Sequence, residues 1–269
     1  MGQQEGGVKD WSGTEEAYRV SFAALCAGTV PTLLDAVADG PCELLDVGCG
    51  TGELAAQARR RGHRVTAFDS DPAMVALTRD RFGQDPGARA QVAALPDLPY
   101  PQGAFAAVCA NFVVNHVSDP RACVREMARV AAPGASLAMT IWPAGGASWA
   151  QLVSASFQDA QVVPVPGTRL PAHLDFERTP EGLASLATRA GLDVLTAQEV
   201  AWTWSVRPED LWAGITGGVA TAGQIFLAQT PAVQERARER FEERVAQVVA
   251  PDGLLHLPSR AALVLAVRG

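Results

Sequence analysis

The chain has 269 residues, 48% of them hydrophobic, and its 22 basic and 29 acidic residues give a net charge of −7. This length suits one large α/β domain, and the apolar content is ample for a packed core. The acidic balance disfavours a nucleic-acid partner, because nucleic-acid-binding proteins usually carry a basic surface or a dense basic patch.

The first half of the chain alternates between predicted helices and strands. Helices are predicted within 14–38, at 53–61, from Pro72 and at 119–132, and strands at 42–47, 64–69, 89–94 (weak), 104–110 and 136–142. Such alternation predicts a doubly wound, mostly parallel sheet.

The pattern changes after Trp142. Residues 143–178 are rich in proline and glycine without clean periodicity, and residues 205–256 are irregular and helical, with a charged helix at 231–249. The segments between and after them predict a helix at 180–190 and strands at 192–203 and 260–268. Two interruptions this late predict a cap over the carboxyl ends of the strands, where ligands bind in such sheets.

We therefore expect one domain, residues 1–269, in which core and cap segments alternate. Its parts are N-terminal helices (1–40), a core (41–142), cap segments (143–178 and 205–256) and the remaining core strands (179–204 and 257–269).

The five cysteines form no C-x-x-C pair and have no neighbouring histidine at ligand spacing, which predicts reduced thiols and no metal site. The N-terminus has no apolar signal core, and no apolar run reaches transmembrane length. We expect a soluble, cytoplasmic monomer or homodimer with neither a membrane nor a nucleic-acid partner.

The segment LLDVGCGTG, residues 44–52, carries the clearest functional signal. It predicts a buried strand, a tight glycine turn and a helix start, with the backbone free to approach a ligand closely. The G-x-G-x-G spacing differs from the G-x-G-x-x-G of dinucleotide-binding loops. With Asp46 two residues before the first glycine, the segment resembles the first motif of class I S-adenosylmethionine (SAM)-dependent methyltransferases.

Two later segments extend this resemblance over residues 40–142. PYPQGAF (99–105) is similar to a loop that commonly reads LPFPDGSFD in the family, and REMARVAAPGASLAMTIW (125–142) matches its helix–Pro-Gly–strand pattern. The resemblance implies a Rossmann-like, seven-stranded sheet, SAM as cofactor and S-adenosylhomocysteine (SAH) as product. It also implies methyl transfer to a small, fairly apolar metabolite, with the acceptor atom (O, N or C) left open.

Asp69 is the expected ribose ligand, because it lies at the tip of the second strand, 17 residues beyond Gly52. The alternative is a surface acid that caps the helix starting at Pro72, a role that Ser70 or Asp71 could also fill. The residues expected to contact SAM are Tyr18, Asp46, Gly48, Gly50, Gly52, Asp69, Ser70, Met74, Ala94, Leu95 and Asn111.

Two positions depart from the family pattern. Ala94, or Gln91 under an alternative alignment of the loop, stands where an acid often binds the adenine amino group, and Ala106 follows Phe105 where an aspartate is usual. Backbone groups of Ala94 and Leu95 could supply the adenine contact instead.

His116 is the candidate catalytic base, since its pKa class suits proton removal and the family places this segment near the methyl donor. The alternative is that it only caps or packs. The tryptophans at 11, 142, 149, 202, 204 and 212 fall mostly near the predicted cap. The residues expected to contact the acceptor are Phe22, Asn115, Trp142, Trp149 and Trp212, with ordinary core and lid packing as the alternative for each.

Two other functions stay open at this point. One is a methyltransferase-like protein that uses bound SAM for a cyclisation or rearrangement without methyl transfer. The other is an RNA or protein methyltransferase, which the acidic balance and the absence of an N-P-P-Y-type tetrapeptide disfavour.

Overall fold

The computed structural model describes residues 12–37, 40–145, 147–165 and 169–269. Trp11 and parts of the predicted region 1–40 lie outside the described residues. The helices are α1 (Glu15–Val20), α2 (Phe22–Ala27), α3 (Val30–Val37), α4 (Glu53–Arg60), α5 (Pro72–Phe82), α6 (Pro120–Val130), α7 (Ser148–Asp159), α8 (Pro180–Arg189), α9 (Pro208–Thr216), α10 (Ala220–Leu227) and α11 (Pro231–Val248). The strands are β1 (Glu43–Val47), β2 (Arg64–Asp69), β3 (Ala88–Val92), β4 (Phe105–Asn111), β5 (Ala131–Ile141), β6 (Leu192–Val206) and β7 (Leu255–Arg268).

The seven strands form one sheet in the order β3-β2-β1-β4-β5-β7-β6. The pairs from β3 to β5 are parallel, whereas β7 runs antiparallel to both β5 and β6. The chain reverses its order of strand addition after β3, so the carboxyl ends of β1 and β4 flank the switch point at which such sheets bind ligands. The prediction of a doubly wound, mostly parallel, seven-stranded sheet is confirmed.

Helices cover both faces of the sheet because the central strands are apolar on both sides. Leu45 and Val47 of β1 pack with α6 and α8 on one face. Leu44, which directly precedes Leu45 in sequence, packs with α3 and α4 on the other. Proline at the first helical position with a capping side chain before it defines three of these helix starts; Asp71, Asp119 and Thr179 accept backbone N–H bonds at α5, α6 and α8.

A third apolar cluster lies beyond the end of β5. The pairing of Ile141 with Ala262 is the last between β5 and β7, while β6 and β7 remain paired as far as Val206 and Leu255. The two-stranded arm of β6 and β7 that projects past the sheet carries Trp204 and Leu257 into a cluster with α7, α9, α10 and α11. These four helices form the late cap that the sequence predicts.

The structure differs from the sequence-based elements in several places. The helical region predicted within 14–38 divides into three short helices, and residues 143–178, which show no periodicity, contain α7. β6 and β7 extend to Val206 and back to Leu255, because the arm continues their pairing beyond the sheet. β5 begins at Ala131 instead of Ser136, since Ala131 pairs with Phe105 before a register shift.

Within the described ranges, no helix is both long enough and apolar enough to cross a bilayer. The arginines at 59, 61 and 64 form ion pairs with Asp85, Asp35 and Glu43. This basic cluster is therefore partnered within the chain.

Candidate functional site

A cavity of about 720 Å³ lies at the carboxyl ends of the central strands. Ligand pockets in proteins commonly measure about 300–1,000 Å³. One part of the wall is the glycine loop after β1 and the end of β2, and another is formed by α7 and α10 of the cap. The cavity thus joins a nucleoside-type loop to the apolar cap in one continuous space.

The glycine loop needs its glycines for backbone conformation and for close packing. Gly48, Gly50 and Gly52 have positive φ values of 63°, 53° and 86°, a region that side chains other than glycine rarely adopt. A Cβ on Gly48 would also lie 2.7 Å from the Val113 side chain. Gly48 and Gly50 line the cavity, while Gly52 precedes α4 as its N-cap and lies off the wall.

Asp46 and Asp69 hold the two sides of this loop. The Asp46 carboxylate accepts from the Ala55 N–H in the first turn of α4 at 3.1 Å. Asp69 accepts from the N–H groups of Gly50 at 2.9 Å and Asp71 at 3.0 Å. Asp71 itself caps α5, so Asp69 is not the capping acid of that helix.

Asp46 is buried and Asp69 is half-buried, and no arginine or lysine of the described residues forms an ion pair with either carboxyl group. Burial raises the pKa of Asp46 to about 8, against the opposing Ala55 N–H bond, and the negative charge of Asp69 adds to the rise. Burial also raises the pKa of Asp69, although the N–H bonds from Asp71 and Gly50 favour its ionised form. Without a cation beside it, Asp46 is therefore largely protonated at neutral pH, and a positively charged ligand would favour its ionised form.

These two acidic groups, which have no cation to offset them, disfavour an anionic ligand such as a pyrophosphate. In dinucleotide-binding loops the first N–H groups of the helix hold the phosphate, whereas here Asp46 occupies one of them. A phosphate would face both carboxylates, while a nucleoside that carries a positive group would complement them.

A smaller cavity of about 30 Å³ lies beside the loop, with Asp46, Glu53, Asn111 and Tyr18 on its wall. It has room for about one water molecule or a small polar group. Glu53 already accepts from Arg81 at 2.7 Å. Asp46 is thus the carboxylate of this side cavity that has no cationic partner.

Tyr18 covers the glycine loop from the N-terminal helices. Its ring comes within 3.6 Å of the position that a Cβ on Gly50 would take. Burial raises the pKa of the Tyr18 phenol, and burial raises the pKa of the adjoining Cys26 thiol to about 12. Both groups therefore stay neutral at physiological pH, and neither adds charge to the site.

Asn111 lies on the walls of both cavities, but its amide is largely engaged in structure. Its Oδ1 accepts from the hydroxyls of Thr29 at 2.7 Å and Thr140 at 2.6 Å, and its Nδ2 donates to the Cys26 carbonyl at 2.9 Å. These bonds fasten the N-terminal helices to β4 and β5. Asn111 therefore positions Tyr18 and Cys26 over the loop.

The remaining residues expected near the nucleoside also face the large cavity. They are Ser70, Met74, Ala94 and Leu95. The Ala94 carbonyl accepts from the Asp97 N–H at 3.2 Å and so fixes the turn that follows β3. Gln91, the alternative position, lies within β3 and off the described wall.

The cap side of the cavity is aromatic. Phe22, Trp142 and Trp149 line it, together with Phe112. Phe112 and Trp142 stack with ring centroids 3.8 Å apart and planes 10° apart. Phe112 has a positive φ of 59°, a strained conformation for a bulky residue. No local sequence signal marks this strain.

Two expected acceptor contacts lie elsewhere. Asn115 binds the backbone of Trp142, accepting from its N–H at 2.8 Å and donating to its carbonyl at 3.3 Å. Trp212 packs against Phe226 and Phe241 inside the cap. Neither belongs to the described cavity wall, so Asn115 positions the aromatic wall and Trp212 stabilises the cap.

His116 lies on the wall of the large cavity, on the segment that follows β4. A backbone bond from its own N–H to the Val113 carbonyl, at 2.8 Å, holds that segment in a turn. Within the described residues, no group of three His, Cys, Asp or Glu side chains could hold a metal ion.

Comparison with known proteins adds the family. The sequence pattern of the methyltransferase domain family matches residues 45–139, the segment that carries the glycine loop, Asp69 and β4. Residues 45–139 are a class I methyltransferase domain. The cofactor of this domain is SAM.

Curated relatives match the methyltransferase domain over part of their length. A malonyl-acyl-carrier-protein O-methyltransferase from Serratia marcescens is 33% identical over 115 residues, 41% of this chain and 44% of the relative. A ubiquinone biosynthesis O-methyltransferase from Xanthomonas axonopodis pv. citri is 33% identical over 154 residues, 56% of this chain and 62% of the relative. The chain thus spans about half the length of the curated relatives it matches.

Solved structures share the fold over most of the chain. The (4+2)-cyclase SpnF has a TM-score of 0.57 at 23% identity and covers 99% of this chain and 87% of its own. A geranyl diphosphate C-methyltransferase from Streptomyces coelicolor A3(2) has a TM-score of 0.52 at 19% identity, covering 90% of this chain and 75% of its own.

The geometry of the methyltransferase domain fits SAM. SAM carries an ammonium and a sulfonium, and the loop presents one buried and one half-buried carboxyl group that have no cationic partner among the described residues. Asp69 keeps lone pairs for ribose hydroxyls, because each of its oxygens accepts one backbone bond. Met74 and Leu95 offer apolar surface for a base.

Proposed function

We propose that this protein transfers the methyl group of SAM to a small, fairly apolar acceptor. The observation that supports the proposal most strongly is the single cavity of about 720 Å³, whose wall includes both the glycine loop and the aromatic side of the cap. A donor on the loop and an acceptor under the cap would lie in one continuous space.

When bound, SAM supplies an electrophilic methyl carbon on sulfur; the acceptor lone pair forms the new bond and the C–S bond breaks, leaving SAH. Asp46 would face the ammonium from the side cavity, and Asp69 would accept from the ribose hydroxyls. The backbone of Ala94 and Leu95 would contact the adenine. Since these groups act at the donor, they bind and align it, and alignment accounts for much of the rate enhancement in such displacements.

The aromatic wall would hold the acceptor. Phe112 and Trp142 form a rigid stacked pair, fastened by Asn115, and Trp149 faces the same space from α7. An apolar wall excludes water from the reacting atoms. It also selects an acceptor with a largely apolar body.

His116 is the proposed base. A hydroxyl acceptor carries a proton that must leave as the new C–O bond forms, and an imidazole on the cavity wall can take that proton. Both curated relatives described above are O-methyltransferases by name. A hydroxyl oxygen is therefore the acceptor atom that we favour.

Product mass tests the reaction. Incubation with SAM that carries a deuterated methyl group and with a panel of apolar alcohols, phenols and enols should yield products heavier by one labelled methyl, with SAH released in equal amount. A product isomeric with its substrate, formed while SAM is not consumed, would replace methyl transfer with the cyclisation or rearrangement alternative. Failure to consume SAM with any acceptor and to form any isomer would contradict the proposal.

A further inference from the structure

One arginine lies on the wall of the otherwise apolar cap side of the cavity. Among the described wall residues, Arg260 is the one arginine or lysine. It belongs to β7 just beyond the last pair with β5, and its side chain is 47% exposed. Arg260 therefore stands at the mouth of the cavity, where cavity and solvent meet.

The guanidinium of Arg260 has hydrogen-bonding capacity that the described residues do not use. Its nearest carboxylate is Glu199 of β6, with 3.6 Å between Nη1 and Oε2. In the eleven other ion pairs of the described residues this distance is 3.0 Å or less. An N–H to O bond normally requires about 2.7–3.2 Å, so Glu199 balances the charge without accepting a good hydrogen bond.

The surrounding backbone keeps space open for this group. Gly145, in the loop after β5, has a φ of +100°, and a Cβ there would lie 3.1 Å from Nη2 of Arg260. Pro143 and Ala147 of the same loop line the cavity beside it. At Gly145 the loop thus passes the guanidinium without a side chain.

We propose that Arg260 binds a carboxylate on the acceptor, so that the substrate of the proposed reaction is an apolar carboxylic acid. The hydrocarbon body would lie against the aromatic wall, with the carboxylate at the mouth. A planar guanidinium matches a carboxylate through two parallel N–H bonds. This inference rests on the proposed function, because it assigns the cap side of the cavity to the acceptor.

The local charge favours a carboxylate over a phosphate. Arg260 supplies one positive charge, and Glu199 already lies beside it. A phosphate monoester carries close to two negative charges at neutral pH and would meet Glu199 with no second cation on the described wall. A carboxylate carries one charge and can use the unoccupied edge of the guanidinium.

Glu199 then acts as a competitor for the same guanidinium. The Glu199 carboxylate repels an incoming carboxylate. Replacing Glu199 with a neutral residue would leave Arg260 fully available. Substitutions at Arg260 and Glu199 should therefore shift acid affinity in opposite directions. A role for Arg260 in folding alone predicts no such opposition.

The test is calorimetric titration, with SAH present, of matched acids and primary amides on three apolar frameworks: a dodecyl chain, a naphthalene and a steroid. On at least one framework the acid should bind the native protein about tenfold more tightly than the amide, the effect of one charge-assisted pair at a half-exposed site. Arg260→Gln should abolish this preference, and Glu199→Gln should increase it. Arg238→Gln is the matched control, because Arg238 lies on the exposed face of α11 in an ion pair with Glu242.

Equal binding of acids and amides, no binding by any member of the panel, or an acid preference that survives Arg260→Gln would overturn the assignment of Arg260. A larger preference for alkyl phosphates than for acids would overturn the choice of carboxylate. SAH affinity distinguishes these outcomes from failure of the proposed function. Every variant should bind SAH with native affinity. A native protein that does not bind SAH would contradict the proposed function itself.

Discussion

Two aspartates at the glycine loop carry different parts of the proposed donor site. Asp46 is 1% exposed and accepts from the Ala55 N–H in the first turn of α4. Asp69 lies at the end of β2 and reaches both the loop and the start of α5. The first is an internal charge beside a small cavity, whereas the second is a wall group of the large one.

The raised pKa of Asp46 makes the stability of the protein depend on pH. Its folded pKa of about 8 exceeds the ordinary value of 3.8, so folding favours the protonated form. The contribution of this group is therefore full below about pH 4 and is lost progressively as pH rises towards 8, with a slope approaching about 1.4 kcal/mol per pH unit. Urea unfolding from pH 5 to pH 9 should show this fall in the native protein and a shallower one in Asp46→Asn. Parallel pH profiles for the two proteins would contradict the assignment.

His116 provides a second residue-scale prediction. With a hydroxyl acceptor found by the product-mass assay, His116→Gln should lower kcat by about 100-fold or more, because a general base of this kind contributes about 10²–10⁴. The rate should recover partly at high pH, and SAH affinity should stay within a factor of about three. A near-native kcat in the variant would show that His116 is structural.

At this scale the sequence predicts the geometry around the glycine loop better than that of the aromatic side of the cavity. The glycines and Asp69 are readable because a close backbone approach and a strand tip depend on local spacing. Phe112 is not readable, since its positive φ results from contacts with β5 and Trp142. The residue types of Asn115 and Trp212 suit contact with an acceptor, but tertiary packing places both side chains elsewhere. Asn115 forms hydrogen bonds with the backbone of Trp142, and Trp212 packs inside the cap.

Among the elements, the connection after β5 depends on one side chain of the connection after β4. Asn115 makes two hydrogen bonds to the backbone of Trp142 and so holds the aromatic wall in place. A comparable amide clamp lies away from the described wall, where Gln229 accepts from the N–H of Val163 at 3.1 Å and donates to its carbonyl at 3.0 Å.

Asn115→Ala should lower the free energy of unfolding by about 1–3 kcal/mol, because it leaves backbone groups of Trp142 without partners. It should also weaken acceptor binding several-fold while SAH affinity is kept. Gln229→Ala, measured by the same urea unfolding and calorimetry, should leave acceptor binding unchanged. Equal effects of the two variants on acceptor binding would remove the positioning role from Asn115.

Element boundaries were predictable where one buried face repeats along the chain. The core strands β1, β2 and β4 and the proline-started helices follow the expected pattern closely. α7 escapes prediction because it packs on the cap and also faces the cavity, so its apolar residues do not fall on one stripe. The ends of β6 and β7 were not predicted, because this arm lies beyond the sheet. Its pairing depends on the packing of Trp204 and Leu257 against the cap helices.

Across the molecule there are three apolar clusters, one on each face of the sheet and one in the cap. The central strands are buried on both sides, whereas α11 has a largely exposed, charged surface. Local stability should follow this division, since regions with fewer buried contacts open more readily.

Peptide-level hydrogen exchange should show β1, β4 and β5 as the slowest segments and α9, α10 and α11 at least about tenfold faster. Added SAH should protect residues 44–52 and the N-terminal helices more than α11. Protection of α11 equal to that of the central strands, or an SAH effect spread evenly over the chain, would contradict this division.

The central claim is that the glycine loop and Asp69 bind SAM on the wall of the large cavity. Calorimetric titration with SAH tests it most directly, on the native protein, on Asp69→Ala and on Asp80→Ala, which alters an exposed acid of α5. We predict one SAH per chain, an affinity reduced by about 10- to 100-fold in Asp69→Ala as two hydroxyl bonds to a carboxylate are lost, and native affinity in Asp80→Ala. Unchanged affinity in Asp69→Ala, or no binding by the native protein, would contradict the account.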